Sequence, residues 1–570
     1  MMRLLLSMIL CIFLHTSVQA SPPPVVIDST QQEIDLSPLD KVAVWQDGRL
    51  KSFQSFARSP MQHVTGPRLV NGQSEVYTCL DIAFRPGAYE DVPVIYVKKK
   101  LVRQAIINAA MESGSISPDE AKAFMETGLA RPSLLRDPGV SRQLDAMRTD
   151  VLRFARPVDA ITTALSLLEP GVIRRQLFII PPMSASFEDP WQTVDTYEAA
   201  FRRTDPGAAG MDPLITQWRE LISAWSSGNI PAINGAVENL GNWIPSMGRS
   251  VYIGYPSEER LKLESMYFKL KSFTWVWMIY LLSVILLLMG IVYRWKGARW
   301  LGLGVFGFAF LLQTVAILLR WYVAGRWPNT NMFEAVTTST WFGGCFAILM
   351  ELLLRRTRMR TLFALGAATA SMFALMAASF NPLHLSPHIS NRMPVLHDVW
   401  LYIHTNVIIF SYVLIFLASV SAGLYLLLRC WRWMNGARGV VEHVGSGGIG
   451  SLIIRRRGQE AALLDDRTSF GAVLDGTTMI LVEISFILLW AGLVMGAIWA
   501  DHSWGRPWGW DPKEVFALNT FLIYAILVHV RMKTRDKGMW TAILAVIGCV
   551  VMLFNWIVIN FTISGLHSYA

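Results

Sequence analysis

The run Trp499-Ala500-Asp501-His502-Ser503-Trp504-Gly505-Arg506-Pro507-Trp508-Gly509-Trp510-Asp511-Pro512-Lys513-Glu514 places four tryptophans within twelve residues. An aromatic belt at a membrane boundary needs fewer. Gly505 and Gly509 allow close backbone approach, and Arg506 and Lys513 set cations beside flat apolar faces. Such a surface suits a large planar ligand with anionic edges. The competing reading is a loop that only anchors two helices at the interface.

Histidines bear on that choice. His404 opens an apolar stretch in Trp400-Leu401-Tyr402-Ile403-His404, and His567 follows another in Gly565-Leu566-His567-Ser568-Tyr569. The span order sets both at the depth of the Trp run, where two imidazoles and an aromatic shelf could ligate and cover a haem. For either histidine alone, a hydrogen-bonded interfacial side chain is the simpler reading. His529, in Ile526-Leu527-Val528-His529-Val530-Arg531, falls near the opposite end of its span, about 21 Å along the helix from Val515. An ionisable group inside a span marks a functional site by default. One haem cannot use both His529 and the Trp loop, so the chain has two sites or moves a ligand between them. Glu483 is a further intramembrane charge that could pair with His529. His384, His388 and His397 share one connection and read as solvated side chains.

The elements that position these residues follow from composition. Of 570 residues, 53% are hydrophobic and 16% charged, too few charges for a chain dissolved wholly in water. Eight apolar stretches are each long enough to cross a bilayer core of about 30 Å: about 272–293, 300–323, 337–354, 361–380, 401–428, 476–499, 514–530 and 540–562. Residues 1–20, with Arg3, an apolar Leu4–Leu14 core and Val18-Gln19-Ala20, read as a signal peptide. Residues 21–268 have soluble composition and read as a mixed α/β extracytoplasmic domain. Helices are predicted over Ser117–Thr127, Arg142–Leu168 and Pro213–Ser226, with a strand at Val94–Val97. Residues 269–570 form the all-α polytopic membrane domain.

Cationic residues set the orientation. The connections Arg294–Arg299, Arg355–Arg360, Arg429–Asp475 and Arg531–Lys537 hold 18 Lys and Arg. Those on the opposite side carry Arg326, Arg392, Arg506 and Lys513. The positive-inside rule then predicts a multi-pass protein of the cytoplasmic membrane, with the soluble domain and the C-terminus extracytoplasmic, on the periplasmic side. The net charge of +9 comes from these clusters, so it is topological and argues against nucleic acid. The five cysteines include no CxxC pair, which argues against haem attachment to this chain itself.

Over residues 270–570 the chain resembles the CcsA/ResC family of haem-handling cytochrome c biogenesis proteins. The resemblance is carried by Trp504-Gly505-x-x-Trp508-x-Trp510-Asp511-Pro512-Lys513-Glu514, Arg326-x-Pro328-x-x-Asn331-Met332-Phe333-Glu334, Trp400-Leu401-x-Ile403-His404, Val528-His529-x-Arg531 and the ending Gly565-Leu566-His567-Ser568-Tyr569-Ala570. Departures are Pro507 where an aromatic is common, and Phe516 and Phe521 where Trp is common. The resemblance implies that His404 and His567 are axial ligands of haem b iron. It implies further that Trp504, Gly505, Arg506, Trp508, Trp510 and Asp511 hold the macrocycle, and that His529 receives haem on its way outward. It also implies presentation of haem to the CxxCH segment of apocytochrome c, as one component of a cytochrome c synthase. The four-span ResB/CcsB half is missing from this sequence, so a separate ResB/CcsB-like membrane partner is implied. Val42–Thr65 resembles amino-terminal extensions of some family members. Two rivals stay open: a respiratory b-type, quinol-linked electron carrier, which would stack histidine pairs at two depths, and a transporter of another solute, which would need broken polar helices near the midplane.

Overall fold

The computed structural model describes residues 33–66, 70, 72–182, 190–204, 212–354, 359–382, 385–391, 398–436, 441, 443 and 469–559. The signal segment, His384, His397 and His567 lie outside these residues. The described chain forms two compact units, one running up to Leu270 together with His388–Asn391, the other made of Lys271–Pro387 and the residues from Arg392 onward.

The first unit is largely helical. Its β structure, among the described residues, is four short strands, β1 (Ala43–Gln46) antiparallel to β2 (Arg49–Ser52) and β3 (Ile95–Tyr96) antiparallel to β4 (Leu129–Ala130), with isolated antiparallel bridges Trp45–Phe178 and Ile180–Gln192. The β1–β2 turn, Asp47-Gly48, has φ of 53° and 74°. That pair of left-handed residues is what a two-residue hairpin with the native strand twist demands. Pro118–Thr127 starts on Ser117 with a reciprocal Ser117–Glu120 capping box and stops at left-handed Gly128. Pro213–Ser227 starts on Asp212 and stops at left-handed Gly228.

The single helix expected over Arg142–Leu168 is instead two, Pro138–Arg148 and Arg156–Leu167, joined through a π-helical turn at Val151–Ala155. Pro157 explains the break: it has no N–H to donate, and its ring clashes with the carbonyl four residues back.

His388 is not solvated as expected. Within the first unit its Nε2 sits 3.2 Å from Asp47 Oδ2 and 3.4 Å from the Nζ of Lys51, which is fully buried. Arg49 Nε donates to Ile389 O at 2.7 Å and Asn391 Nδ2 to Gly48 O at 3.1 Å, so the hairpin tip holds this tetrapeptide. Burial, reinforced by the neighbouring Lys51 and Arg49 charges, pushes the His388 pKa down to about 4. Burial likewise brings Lys51 down to about 8.

The second unit contains, among the described residues, eight helices long and apolar enough to cross a membrane. They run Lys271–Val292, Lys296–Ala324, Met332–Leu353, Leu362–Phe380, Val399–Met434, Phe470–Trp504, Pro512–Lys533 and Lys537–Ile559. The fifth and sixth, at 36 and 35 residues, are each more than 50 Å long at 1.5 Å per residue and continue beyond a bilayer core. Lipid gives helices no hydrophobic reason to associate, so small residues and buried polar contacts carry the packing. A Cβ at Gly548 on the eighth span would lie 2.6 Å from the Tyr524 ring of the seventh. Gln313 of the second span accepts from Tyr280 of the first at 2.6 Å and donates to Thr337 O of the third at 3.0 Å.

Candidate functional site

Local rules account for the Trp-rich run. The sixth span ends at Trp504, with Gly505 left-handed at φ 68°. The seventh begins after Asp511, whose carboxylate accepts from Lys513 N at 3.2 Å, with Pro512 in the first turn. Glu514 closes the capping box, its Oε2 accepting from Asp511 N at 3.2 Å and from Gly509 N at 2.9 Å. Asp511-Pro512-Lys513-Glu514 is therefore a helix start, and Asp511, 5% exposed, is its cap.

A cavity of about 280 Å³ opens at this end of the second unit, lined by His404, Trp499, Trp508, Lys513, Asn555 and Trp556, together with the Asn329–Met332 segment and apolar residues of the fifth and sixth spans. Its mixture of aromatic walls and a few convergent polar groups is typical of a ligand site.

His404 is held firmly. Its Nδ1 lies 2.8 Å from the carbonyl of Gly492 on the sixth span. The carbonyl can only accept, so the proton sits on Nδ1 and Nε2 is the lone-pair nitrogen, the arrangement of a metal-ligating histidine with its supporting carbonyl. The ring fits because Gly496 has no side chain: a Cβ there would lie 2.6 Å from His404 Cε1.

The Arg326–Glu334 motif builds another wall. Glu334, with no exposed surface, accepts from Arg320 Nε at 2.9 Å, Arg326 Nη1 at 2.8 Å and Thr330 N at 2.7 Å. Asn331 caps the third span by accepting from Glu334 N at 2.9 Å. Trp327 Nε1 donates to Asn406 at 3.2 Å, tying this segment to the helix that carries His404. Two guanidiniums around one carboxylate make an interior ion cluster with a satisfied hydrogen-bond set, the condition under which buried charge is tolerated.

The structure brings together only some of the candidate residues. His404 and Trp508 line the cavity. Trp504 packs edge-on against Trp499, with ring centroids 4.8 Å apart, and Trp510 stands edge-on to Trp508 at 6.0 Å while remaining 75% exposed. Gly505 has open space where a Cβ would sit, and Arg506 is exposed. Neither these four residues nor Asp511 line the cavity, so the flat shelf of several indoles reduces here to Trp508 with Trp499 and Trp556. His529 lies on the seventh span away from the cavity. It is exposed on the outside of the described bundle, and its Nδ1 is bonded to Ala525 O of its own helix at 2.8 Å. That bond leaves Nε2 as the basic nitrogen here as well, and the ring is engaged with its own helix rather than with Glu483.

Asn555 and Tyr412 are the functional candidates that residue spacing passed over. Asn555 alone carried a local signal, an amide between Phe554 and Trp556 in an otherwise apolar span.

A polytopic helical membrane protein with a histidine presented beside a tryptophan-lined cavity is the class that fold and site define. The family described as cytochrome C assembly protein matches residues 330–567. The chain is 32% identical over 266 residues to the cytochrome c biogenesis protein CcsA of Parasynechococcus marenigrum, covering 46% of this chain and 83% of that protein. It is 32% identical over 265 residues to CcsA of Prochlorococcus marinus, covering 46% of this chain and 81% of that protein. The chain belongs to the CcsA family of cytochrome c biogenesis proteins.

Proposed function

We propose that this protein acts in cytochrome c biogenesis, binding haem at the Trp-loop end of its membrane unit and presenting it for covalent attachment to apocytochrome c. The observation that carries the reading is His404: its Nδ1 proton is fixed by Gly492 O, and its ring sits in the wall of a cavity bordered by Trp508 and Lys513. Haem is the substrate here. Its iron takes the lone pair of Nε2, and the family resemblance supplies His567 as the opposite ligand. With the positive-inside orientation, this end faces the periplasm, where the thiols of a CxxCH segment can reach the vinyl groups. Each thiol adds across one vinyl C=C bond: sulfur bonds to one carbon, the thiol proton ends on the other, and neither oxidant nor reductant is consumed. The chain contributes position and exclusion of water rather than a nucleophile.

His529 serves delivery in this reading. Because its ring is on the outside of the described bundle, a haem bound there has one face that the described residues do not close. That supports a ResB/CcsB-like partner, which would cover the face and complete the coordination.

The test is the absorption spectrum of the full-length protein, oxidised and reduced, with the yield of cytochrome c in the same cells. His404→Ala is expected to remove the bis-histidine spectrum and abolish maturation while the protein still inserts. His529→Ala is expected to lower occupancy of the Trp-loop site, with recovery on added imidazole. Unchanged spectra and cytochrome yield in both variants refute the assignment.

A further inference from the structure

The cavity beside His404 is apolar over most of its wall, and Tyr412, Lys513 and Asn555 are among its polar lining residues. Asn555 is 5% exposed. Its Nδ2 donates to Tyr412 Oη at 3.0 Å and lies 3.5 Å from the carbonyl of Lys513, whereas its buried Oδ1 has no hydrogen-bond partner. The eighth helix changes at Phe554–Ile559 to a π-helical turn, and the adjacent residues Asn555 and Trp556 both line the cavity. Wider turns of this kind are frequent at functional positions. Lys513 borders the same region. Glu514, the neighbouring acid, has an oxygen engaged with the backbone N–H groups of Gly509 and Asp511.

An orphaned acceptor in a buried wall is costly, and such groups normally have partners. Asn555 lines the cavity, so a small turn of its amide lets a ligand supply the partner. The Tyr412 hydroxyl can donate as well as accept. The Asn555 amide can therefore turn over, keep its bond to Tyr412, and present N–H instead of C=O to the cavity. In one orientation it meets the O–H of a carboxylic acid, in the other a carboxylate oxygen. The cationic Lys513, which also lines the cavity, favours the carboxylate.

We propose that Asn555, Tyr412 and Lys513 form a carboxyl-recognition pole that takes a propionate of the bound haem and thereby sets the rotation of the macrocycle in the cavity. The proposal rests on the haem-binding reading above. With a propionate held at this pole, the vinyl edge is directed away from it, so the residues are positioning residues and take no part in the addition itself.

The experiment titrates the purified full-length protein with haem and with haem dimethyl ester, which has the same iron and vinyl groups but no carboxyls. Wild type is expected to bind haem at least tenfold more tightly than the ester. Asn555→Leu and Lys513→Met are each expected to lose most of that preference. Asn555→Asp, which sets a second carboxylate against the first, is expected to reverse the preference at neutral pH, a sign change that mere loosening of the fold does not produce. Tyr412→Phe, which preserves shape, is expected to weaken the preference. Equal binding of the two compounds by wild type overturns the proposal and leaves haem binding intact, as does an undiminished preference in Asn555→Leu. Absence of any His404-dependent binding of either compound overturns the haem reading itself and this proposal with it.

Discussion

Gly496→Ala probes the geometry around His404 with a single methyl group. The added Cβ would lie 2.6 Å from Cε1, 2.9 Å from Nδ1 and 3.2 Å from Nε2 of His404. Carbon atoms pack at about 3.5 Å or more, so the ring must retreat by about 0.9 Å. That retreat pulls Nδ1 off the Gly492 carbonyl, now 2.8 Å away. A lost hydrogen bond costs about 1 kcal/mol and an overpacked methyl about 1–3 kcal/mol. At 1.4 kcal/mol per factor of ten, haem should bind roughly thirty- to several-hundred-fold more weakly, with a displaced Soret band. The helix itself gains from the change, since Ala is a better helix former than Gly by about 1 kcal/mol, so the variant should insert and fold. Gly423→Ala on the fifth span, where an added Cβ meets nothing within 4 Å, is the matched control and should be silent. Wild-type affinity and spectrum in Gly496→Ala would show that the His404 ring does not lie against Gly496, and the cavity as described would be wrong.

Two further outcomes test other parts of the structure. Glu334→Gln leaves Arg320 and Arg326 facing each other without their carboxylate; it should cost about 3–5 kcal/mol, read as a lowered melting temperature in detergent, and an unchanged melting temperature would remove the ion cluster as a structural element. In the first unit, the His388 pKa is held near 4, below its ordinary value, so the unfolded chain binds the extra proton first. Stability from neutral His388 is then complete above about pH 6.5 and is lost as pH falls towards 4. Asp47, held below the ordinary carboxylate range against its own burial by hydrogen bonds and charge from Lys51 and His388, contributes stability that is complete above about pH 4 and is lost only at lower pH. Lys51, brought to about 8, acts in the alkaline range, where stability rises with pH between about 8 and 10.4. Hydrogen exchange of the Ile389–Asn391 amides, corrected for the intrinsic rate, should lose protection between pH 6.5 and 4, and His388→Asn should flatten that dependence; an equal pH response in wild type and variant contradicts it.

The amino-acid sequence by itself determined what short-range physics controls. Eight apolar runs of about twenty residues became eight long helices, because only a helix satisfies its own backbone in hydrocarbon. Gly505 as a stop and Asp511-Pro512 with Glu514 as a start required nothing beyond local backbone chemistry. Tertiary structure alone decided which side chains share a cavity. Whether Trp508 or Trp510 turns inward depends on how the loop closes between two spans, and Trp510 turned out. The carbonyl that orients His404 lies 88 residues further along the chain, and Asn555 meets Tyr412 across 143. Periodicity reports what surrounds a helix, lipid or water, whereas the rotation of one helix against another is set by small contacts such as Gly496 beneath an imidazole, and these exist only once the bundle has assembled.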